Sequence, residues 1–284
     1  MKITVLGMLP FSQLIKEGFE KLNHTISTEN PEIIFANDPR GYNEAISLKK
    51  KYPKAYMIFN LLDIPWHMPN INTQTKLLVN NFLVKADSVT VISHKVQKDL
   101  SKFLDKKTHV IYNPRKDVYY DDSIKKNNLF LYVGRANDPV KRINLVYDSL
   151  NKIKDGLKNI KICGSENPGF GEYLGFVSDD ELNKLYNSSK FVFLPSKNEG
   201  IGLPMIEAMI CGSLPITCSD NETTKEFLPK DFICEPNVES IIDLIELLNK
   251  EYSSKRKIAF EFGKKYEDQF NKINIAKNIL KVKK

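Results

Sequence analysis

From one end of the chain to the other, short apolar runs alternate with stretches whose apolar residues recur at helical spacing. That alternation predicts a parallel α/β architecture, with strand following helix following strand. In the first part, strands are expected at Ile3–Leu6, Glu32–Ala36, Ala55–Phe59, Ser88–Ile92 and His109–Tyr112. Helices are expected between them at Ser12–Leu22, Asn43–Lys51, Thr73–Lys85 and Lys95–Lys102. In the third of these, Leu77, Leu78, Phe82 and Val84 fall close to the helical period. The stretch Asn113–Asn128 carries Pro114, many charges and no sustained apolar period, so it reads as a linker.

The strand pattern restarts at Leu129–Val133 and continues at Ile160–Cys163, Tyr173–Phe176, Phe191–Leu194, Leu214–Thr217 and Phe232–Cys234. Helices are expected at Ile143–Lys154, Asp179–Ser188, Leu203–Cys211, Thr223–Phe227 and Val238–Leu248, and the charged tail from about Ser253 reads as helical. Two Rossmann-like sheets are the simplest account, over residues 1–115 and 116–265. A C-terminal helix over 266–284 would pack back toward the first domain.

Composition adds limits. The 284 residues can bury one large core or two modest ones. With 42% hydrophobic and 27% charged residues, the chain reads as globular rather than disordered. No apolar run approaches the roughly 20 residues that span a bilayer. The apolar stretch of Met1–Gly7 is short for a signal peptide and reads as a first strand, so a cytoplasmic protein is expected. The four cysteines form no Cys-x-x-Cys pair and lie in or beside apolar runs, which predicts reduced, buried thiols. The formal charge of +7 suits an anionic partner, whether lipid, nucleic acid or phosphorylated substrate. Aromatic-plus-arginine platforms of the kind that hold single strands are not evident, so nucleic acid is not expected.

The chemistry concentrates in the segment from Phe191 to Gly212. A buried strand ends at Pro195, a loop carries Glu199, Gly200 and Gly202, and a helix starts near Leu203 with Pro204 in its first turn. Gly212 fits just past the helix end. Unpaired N–H groups at the helix start, beside glycines that allow close approach, suit a diphosphate. Glu207, expected on the first turn, would accept hydrogen bonds from a ribose diol, and Glu199 would lie beside whatever the diphosphate carries. In Asn60-Leu-Leu-Asp63-Ile-Pro-Trp66-His67 a strand end runs into a loop on the side where α/β folds bind ligands. That makes Asp63 and His67 candidates for contact with a ligand.

Glu199-Gly-Ile-Gly-Leu-Pro-Met-Ile-Glu207-Ala-Met, followed by Cys211-Gly-Ser-Leu-Pro-Ile, closely resembles the donor-site motif of the family 4 glycosyltransferases, retaining enzymes of the GT-B fold. The resemblance extends over about Leu129 to Lys250. Tyr132-Val-Gly134-Arg135 with the following Lys141 is similar to the family's glycine-arginine strand end and its lysine. Gly175-Phe-Val177-Ser-Asp-Asp resembles the loop beside the nucleobase. The segment Ser219–Phe227 stands where the family usually carries paired glycines, and that pair is absent here. In the first half, Val91-Ile-Ser93-His and Val110-Ile-Tyr-Asn113-Pro are similar to two further landmarks. Met8-Leu-Pro-Phe-Ser12 replaces the usual glycine pair after the first strand.

The resemblance implies an α/β, GT-B-like fold, with two Rossmann-like parallel-sheet domains facing a central cleft and a reduced N-terminal domain. The first would be the acceptor domain and the second the nucleotide-sugar donor domain. Arg135 and Lys141 would stabilise the leaving diphosphate. Glu199 would hold donor-sugar hydroxyls, and Asp63 and His67 complete the catalytic candidates. Glu207, Gly200, Ile201, Gly202, Leu203, Val177 and Gly134 form the implied donor-binding set.

The expected function is retaining transfer of a sugar from a nucleoside diphosphate sugar to a glycan, a lipid-linked acceptor or a protein. No Asp-x-Asp occurs in the sequence, and with the resemblance this implies a metal-independent reaction without a cofactor. The rival readings are a sugar-nucleotide epimerase or phosphorylase on the same fold, and a non-catalytic scaffold. The basic balance also raises peripheral contact with an anionic membrane, at its inner face.

Overall fold

The computed structural model describes residues 1–63 and 70–283. The chain divides into two compact units, Met1–Pro114 together with Gln269–Lys284, and Arg115–Asp268.

The first unit begins with β1 (Lys2–Leu6), α1 (Phe11–Lys21) and a two-residue edge strand, β2 (Thr25–Ile26). It continues through β3 (Ile33–Ala36), α2 (Tyr42–Lys51), β4 (Tyr56–Leu61), α3 (Ile71–Asn81), β5 (Ser88–Val91), α4 (His94–Leu100) and β6 (Thr108–Val110). The sheet order is β2-β1-β3-β4-β5-β6 with every pairing parallel. Parallel strands covered on both faces need apolar residues at successive positions, and Ile33-Ile-Phe-Ala36 is buried throughout. The strand order reverses between β1 and β3, where α/β sheets open a crevice at their carboxyl ends. There Asp38 accepts hydrogen bonds from the Met8 and Arg40 amides.

Two local differences from the sequence expectation have simple causes. β4 runs on to Leu61 because Asn60 and Leu61 pair with Thr90 and Val91 of β5. The third helix ends at Asn81, and Leu83–Lys85 forms a separate 3₁₀ turn while the Phe82 ring packs against Tyr42 at 5.7 Å.

The second unit contains β7 (Asn127–Val133), α5 (Ile143–Asn151), β8 (Ile160–Cys163), β9 (Glu172–Gly175), α6 (Asp179–Ser188) and β10 (Ser189–Leu194). Then follow α7 (Leu203–Ile210), β11 (Leu214–Cys218), α8 (Thr224–Phe227), β12 (Ile233–Cys234), α9 (Val238–Lys250) and α10 (Tyr252–Glu267). The order is β12-β11-β10-β7-β8-β9, again all parallel, with β7 and β10 at the centre. The switch point of this sheet therefore lies between β7 and β10. α7 is buried over Met205–Ile210 beneath α10. Gly263 permits that approach, since a Cβ there would sit 2.5 Å from the Ile210 nitrogen.

The stretch read as a linker contains no helix or strand up to Asn127, yet it is not a loose connector. The amides of Tyr119 and Asp121 donate to the side-chain oxygens of Asn183 and Asn187, one helical turn apart on α6, at 2.8 and 2.9 Å. Arg115 and Val118 are buried. The segment is a strap bonded along α6.

The charged tail is two helices, and the second, α11 (Lys272–Val282), belongs to the first unit. Ile275, Ala276 and Ile279 enter the core built by Ile3, Ile15, Phe19 and Phe35. Lys272 pairs with Glu17 at 2.7 Å. A Cβ on Gly18 would meet the Lys272 carbonyl oxygen at 2.3 Å, so α1 and α11 touch backbone to backbone. All four cysteines carry free thiols, with Cys163, Cys211 and Cys218 buried. Among the described residues, no helix is long and apolar enough to cross a membrane.

Candidate functional site

Three loops at the carboxyl ends of β7, β10 and β11 are tied into one cradle. After β7, Asp138 caps the 3₁₀ turn Pro139–Lys141 by accepting from the Val140 amide at 3.0 Å, and it also accepts from Arg135 at 2.6 Å. Burial alone would raise the Asp138 carboxyl, but the bonds from Arg135 and Val140 outweigh it and hold it below the ordinary range. The turn delivers Lys141 toward the loop after β10. There its ammonium pairs with Glu199 at 2.5 Å, both side chains being 15% exposed or less.

The same loops meet twice more. The Lys197 amide donates to the Val140 carbonyl at 2.9 Å. Arg142, in left-handed conformation at the start of α5, forks onto both oxygens of Asp220 after β11. That hydrogen-bonded pairing raises the guanidinium's affinity for its proton above the usual value. Asn221 completes the tie by donating to the Ser196 carbonyl at 3.1 Å.

Below this cradle, α7 begins without a side-chain cap. Gly202 takes φ +85° at that start, and a Cβ on it would press on Leu194 at 3.2 Å. Gly200 and Leu203 are half-buried, and Ile201 is buried. On the other side of β7, Gly134 and Gly164 are in backbone contact, since a Cβ on Gly164 would lie 1.8 Å from the Gly134 carbonyl oxygen. Next to them, Gly175 leads into the half-buried Val177, and Phe176 stands 86% exposed between the two.

Several buried polar atoms beside these loops have no hydrogen-bond partner among the described residues: Tyr132 Oη, Ser196 Oγ, Asn221 Oδ1 and Thr223 Oγ1. Buried polar groups are rarely left unpaired, so the set marks a place suited to a polar ligand. The Tyr132 phenol is pushed up chiefly by burial, and next by the charge of Glu199. No group of three or more His, Cys, Asp or Glu among the described residues could hold a metal ion.

Residues 171–266 match the sequence family described as Glycosyl transferases group 1. The O-antigen chain mannosyltransferase B of Escherichia coli is 35% identical over 104 residues, which is 36% of this chain and 27% of that one. The O-antigen chain mannosyltransferase RfbU of Salmonella typhimurium is 27% identical over 234 residues, 76% of this chain and 60% of that one. The chain thus spans less than two thirds of the length of these relatives. Among solved structures, Anabaena HepE in complex with UDP and glucose matches with a TM-score of 0.79 at 16% identity, covering 99% of both chains. The two parallel six-stranded sheets are those of the GT-B glycosyltransferase fold.

Within the matched segment, Glu207 sits differently from the sequence expectation. It is the fifth residue of α7, in its second turn, and only 4% exposed. Its oxygens accept from the Lys116 amide at 3.1 Å and the Tyr186 hydroxyl at 2.9 Å. Burial raises its carboxyl above the ordinary value, and those two bonds oppose the rise. Glu207 therefore anchors the strap and α6 to α7. A ribose diol would have to use what remains of its acceptor capacity.

Lys141 and Glu199 are in direct contact, whereas Arg135 extends to 65% exposure with Asp138 as its ion-pair partner. Asp63 lies in the first unit, two residues beyond β4. His67 is outside the described residues. Tyr132, Ser196, Thr223 and the Arg142–Asp220 tie were missed by sequence reasoning. A tyrosine inside a strand reads as core, and nothing in the sequence marks which hydroxyls end without partners.

Proposed function

We propose that this protein is a retaining glycosyltransferase that moves a sugar from a nucleoside diphosphate sugar to an acceptor, without a metal ion. The observation that carries the reading is the Lys141–Glu199 ion pair across the switch point, beside the uncapped start of α7. In this reading the diphosphate meets the Leu203 amide and the glycine loop Gly200–Gly202, where a helix start favours negative charge. Lys141 then stands as a fixed cation next to the developing phosphate charge, and the exposed Arg135 turns in from Asp138 to join it. Glu199 holds hydroxyls of the donor sugar. Gly134 and Gly164 leave room for the donor beside β7 and β8. Val177 and Phe176 lie by the nucleobase, and Glu207 reaches the ribose.

Tyr132, Ser196 and Thr223 would offer hydroxyls to the same ligand. Thr223 stands in the loop where the resemblance leads one to expect a glycine pair, so a side-chain hydroxyl substitutes for backbone amides there. Retention follows if the departing phosphate accepts the acceptor's proton on the face that it leaves. Asp63 and His67 are the candidate acceptor contacts. The mannosyltransferase names of the two bacterial relatives, and the UDP and glucose held by HepE, make mannosyl and glucosyl donors the first to test. The charge of +7 favours an acceptor carried on an anionic membrane face in the cytoplasm.

Thermal stabilisation by a panel of GDP and UDP sugars, followed by product analysis with the donor that binds, tests the reading. Transfer in the presence of EDTA with the anomeric configuration kept is the expected result. A C2- or C4-inverted nucleotide sugar would show an epimerase instead, and no stabilisation by any donor would show a scaffold.

A further inference from the structure

The second unit carries a cavity at the end of its sheet opposite the donor loops. It measures about 300 Å³ and is lined by Tyr120 of the strap and by Tyr252, Ser253, Arg256, Lys257 and Phe260 of α10. Its neighbours mark its position. The ammonium of Lys190, the second residue of β10, lies 4.5 Å from the centre of the Tyr252 ring. Arg256 lies against Gly212, which precedes β11. Glu199 follows the other end of β10, roughly 16 Å away along the six-residue strand.

Three features of this cavity call for a ligand. Its walls are aromatic, with Tyr120 and Phe260 packed edge to face at 5.0 Å and Arg256 5.6 Å from the Tyr120 ring centre, its guanidinium donating to the Tyr120 hydroxyl at 2.9 Å. Its charge is only partly compensated, by the Lys257–Glu261 pair at 4.0 Å. No carboxylate lines it, and among the described residues Arg256 and the nearby Lys126 and Lys190 have no ion-pair partner. Lys255 on the same helix shows the contrast, being held by Asp231 and Glu251. The cations also press on one another: the buried Lys126 ammonium is pushed down to about 7, mainly by burial and further by Arg256. Finally, the Tyr252 hydroxyl is buried and has no hydrogen-bond partner among the described residues. A buried phenol pays a desolvation cost that only a partner offsets.

We propose that this cavity binds an anionic sugar, its ring stacked on Tyr120, Tyr252 and Phe260 and its phosphate or carboxylate held by Arg256 and Lys257. The Tyr252 and Ser253 hydroxyls would meet the ring hydroxyls. The volume admits one such ring. The site is independent of the donor site, so it stands whether or not the protein transfers sugar.

Titration calorimetry and ¹H–¹³C spectra of the tyrosine rings, with glucose 6-phosphate, glucose 1-phosphate and glucuronate as probes, test the proposal. Glucose and inorganic phosphate serve as controls. The expected result is at least fivefold tighter binding of an anionic sugar than of either control, with shifts at Tyr120 and Tyr252. Better binding by the phosphates or by glucuronate identifies the anionic group. Tyr252→Phe should leave the unfolding temperature unchanged or higher, because its hydroxyl has no partner to lose, and should weaken binding about fivefold, the worth of one hydrogen bond. Arg256→Lys should weaken it further and leave a nucleotide response intact. Equal binding of phosphate alone, binding that UDP displaces, or affinity untouched by Tyr252→Phe would each overturn the proposal.

Discussion

Lys141 and Glu199, 58 positions apart in the chain, form a 2.5 Å ion pair that joins the loops after β7 and β10. Neither side chain is more than 15% exposed, so the pair is not a solvated surface contact. Removing one partner would leave the other charge partly buried and unmatched. If both residues serve the donor as one unit, Lys141→Ala and Glu199→Gln should each lower kcat/KM by about 10²–10³-fold. The double variant should lose little more than either single one, because residues acting together are not additive. Steady-state kinetics with the donor found by the stabilisation screen would decide. A double loss equal to the product of the two single losses would separate their roles.

Arg142 and Asp220 give a second test, of positioning rather than chemistry. The planar fork holds both carboxylate oxygens, and an ammonium cannot reproduce that geometry. Arg142→Lys should lower kcat/KM about tenfold by loosening the three loops, since small misplacements of a reacting group are costly. The unfolding temperature should hardly move. A large fall in that temperature at unchanged kcat/KM would make the tie a purely structural one.

Glu207 carries a prediction about pH. Its folded carboxyl is raised by burial, so between the unfolded and folded values the native state binds more protons than the unfolded state. Stability then falls as pH rises from about 4.3 through the folded value. Glu207→Gln keeps an acceptor for the Lys116 amide and a donor for Tyr186. It should therefore flatten that slope while the protein stays folded. Urea unfolding between pH 4 and 8 measures it, and an unaltered slope would assign the titration to another group.

Gly18 tests how α11 is held in the first unit. A Cβ only 2.3 Å from the Lys272 carbonyl must push the helices apart. Gly18→Ala should cost about 2–3 kcal/mol, in the range of overpacked cores. Hydrogen exchange at Ile275, Ala276 and Ile279 should accelerate before the rest of the unit. Protection equal to that of the unsubstituted protein would show that the contact is readily relaxed.

Much of the fold was legible because its signals are local. Near-continuous apolar strands such as Phe191–Leu194 follow from burial on both faces, and Gly202 and Pro204 mark a helix start by backbone chemistry alone. The two-residue β2 has no apolar run to announce it, and exists only because Thr25 and Ile26 pair with Lys2 and Ile3. The strap over residues 115–126 was read as a linker because its backbone partners, Asn183, Asn187 and Glu207, lie more than 60 positions away.

The sequence by itself determined that two parallel sheets form, and that a glycine loop with Glu199 opens the helix after β10, since periodicity and turn chemistry are properties of neighbouring residues. Only the tertiary structure decided which charges meet. The strand order sets β7 beside β10, bringing Lys141 to Glu199 and tying Arg142 to Asp220. The packing of α7 against α6 and the strap turned Glu207 inward to Lys116 and Tyr186. Partners of this kind are chosen by distance in space, which the order of residues along the chain does not contain.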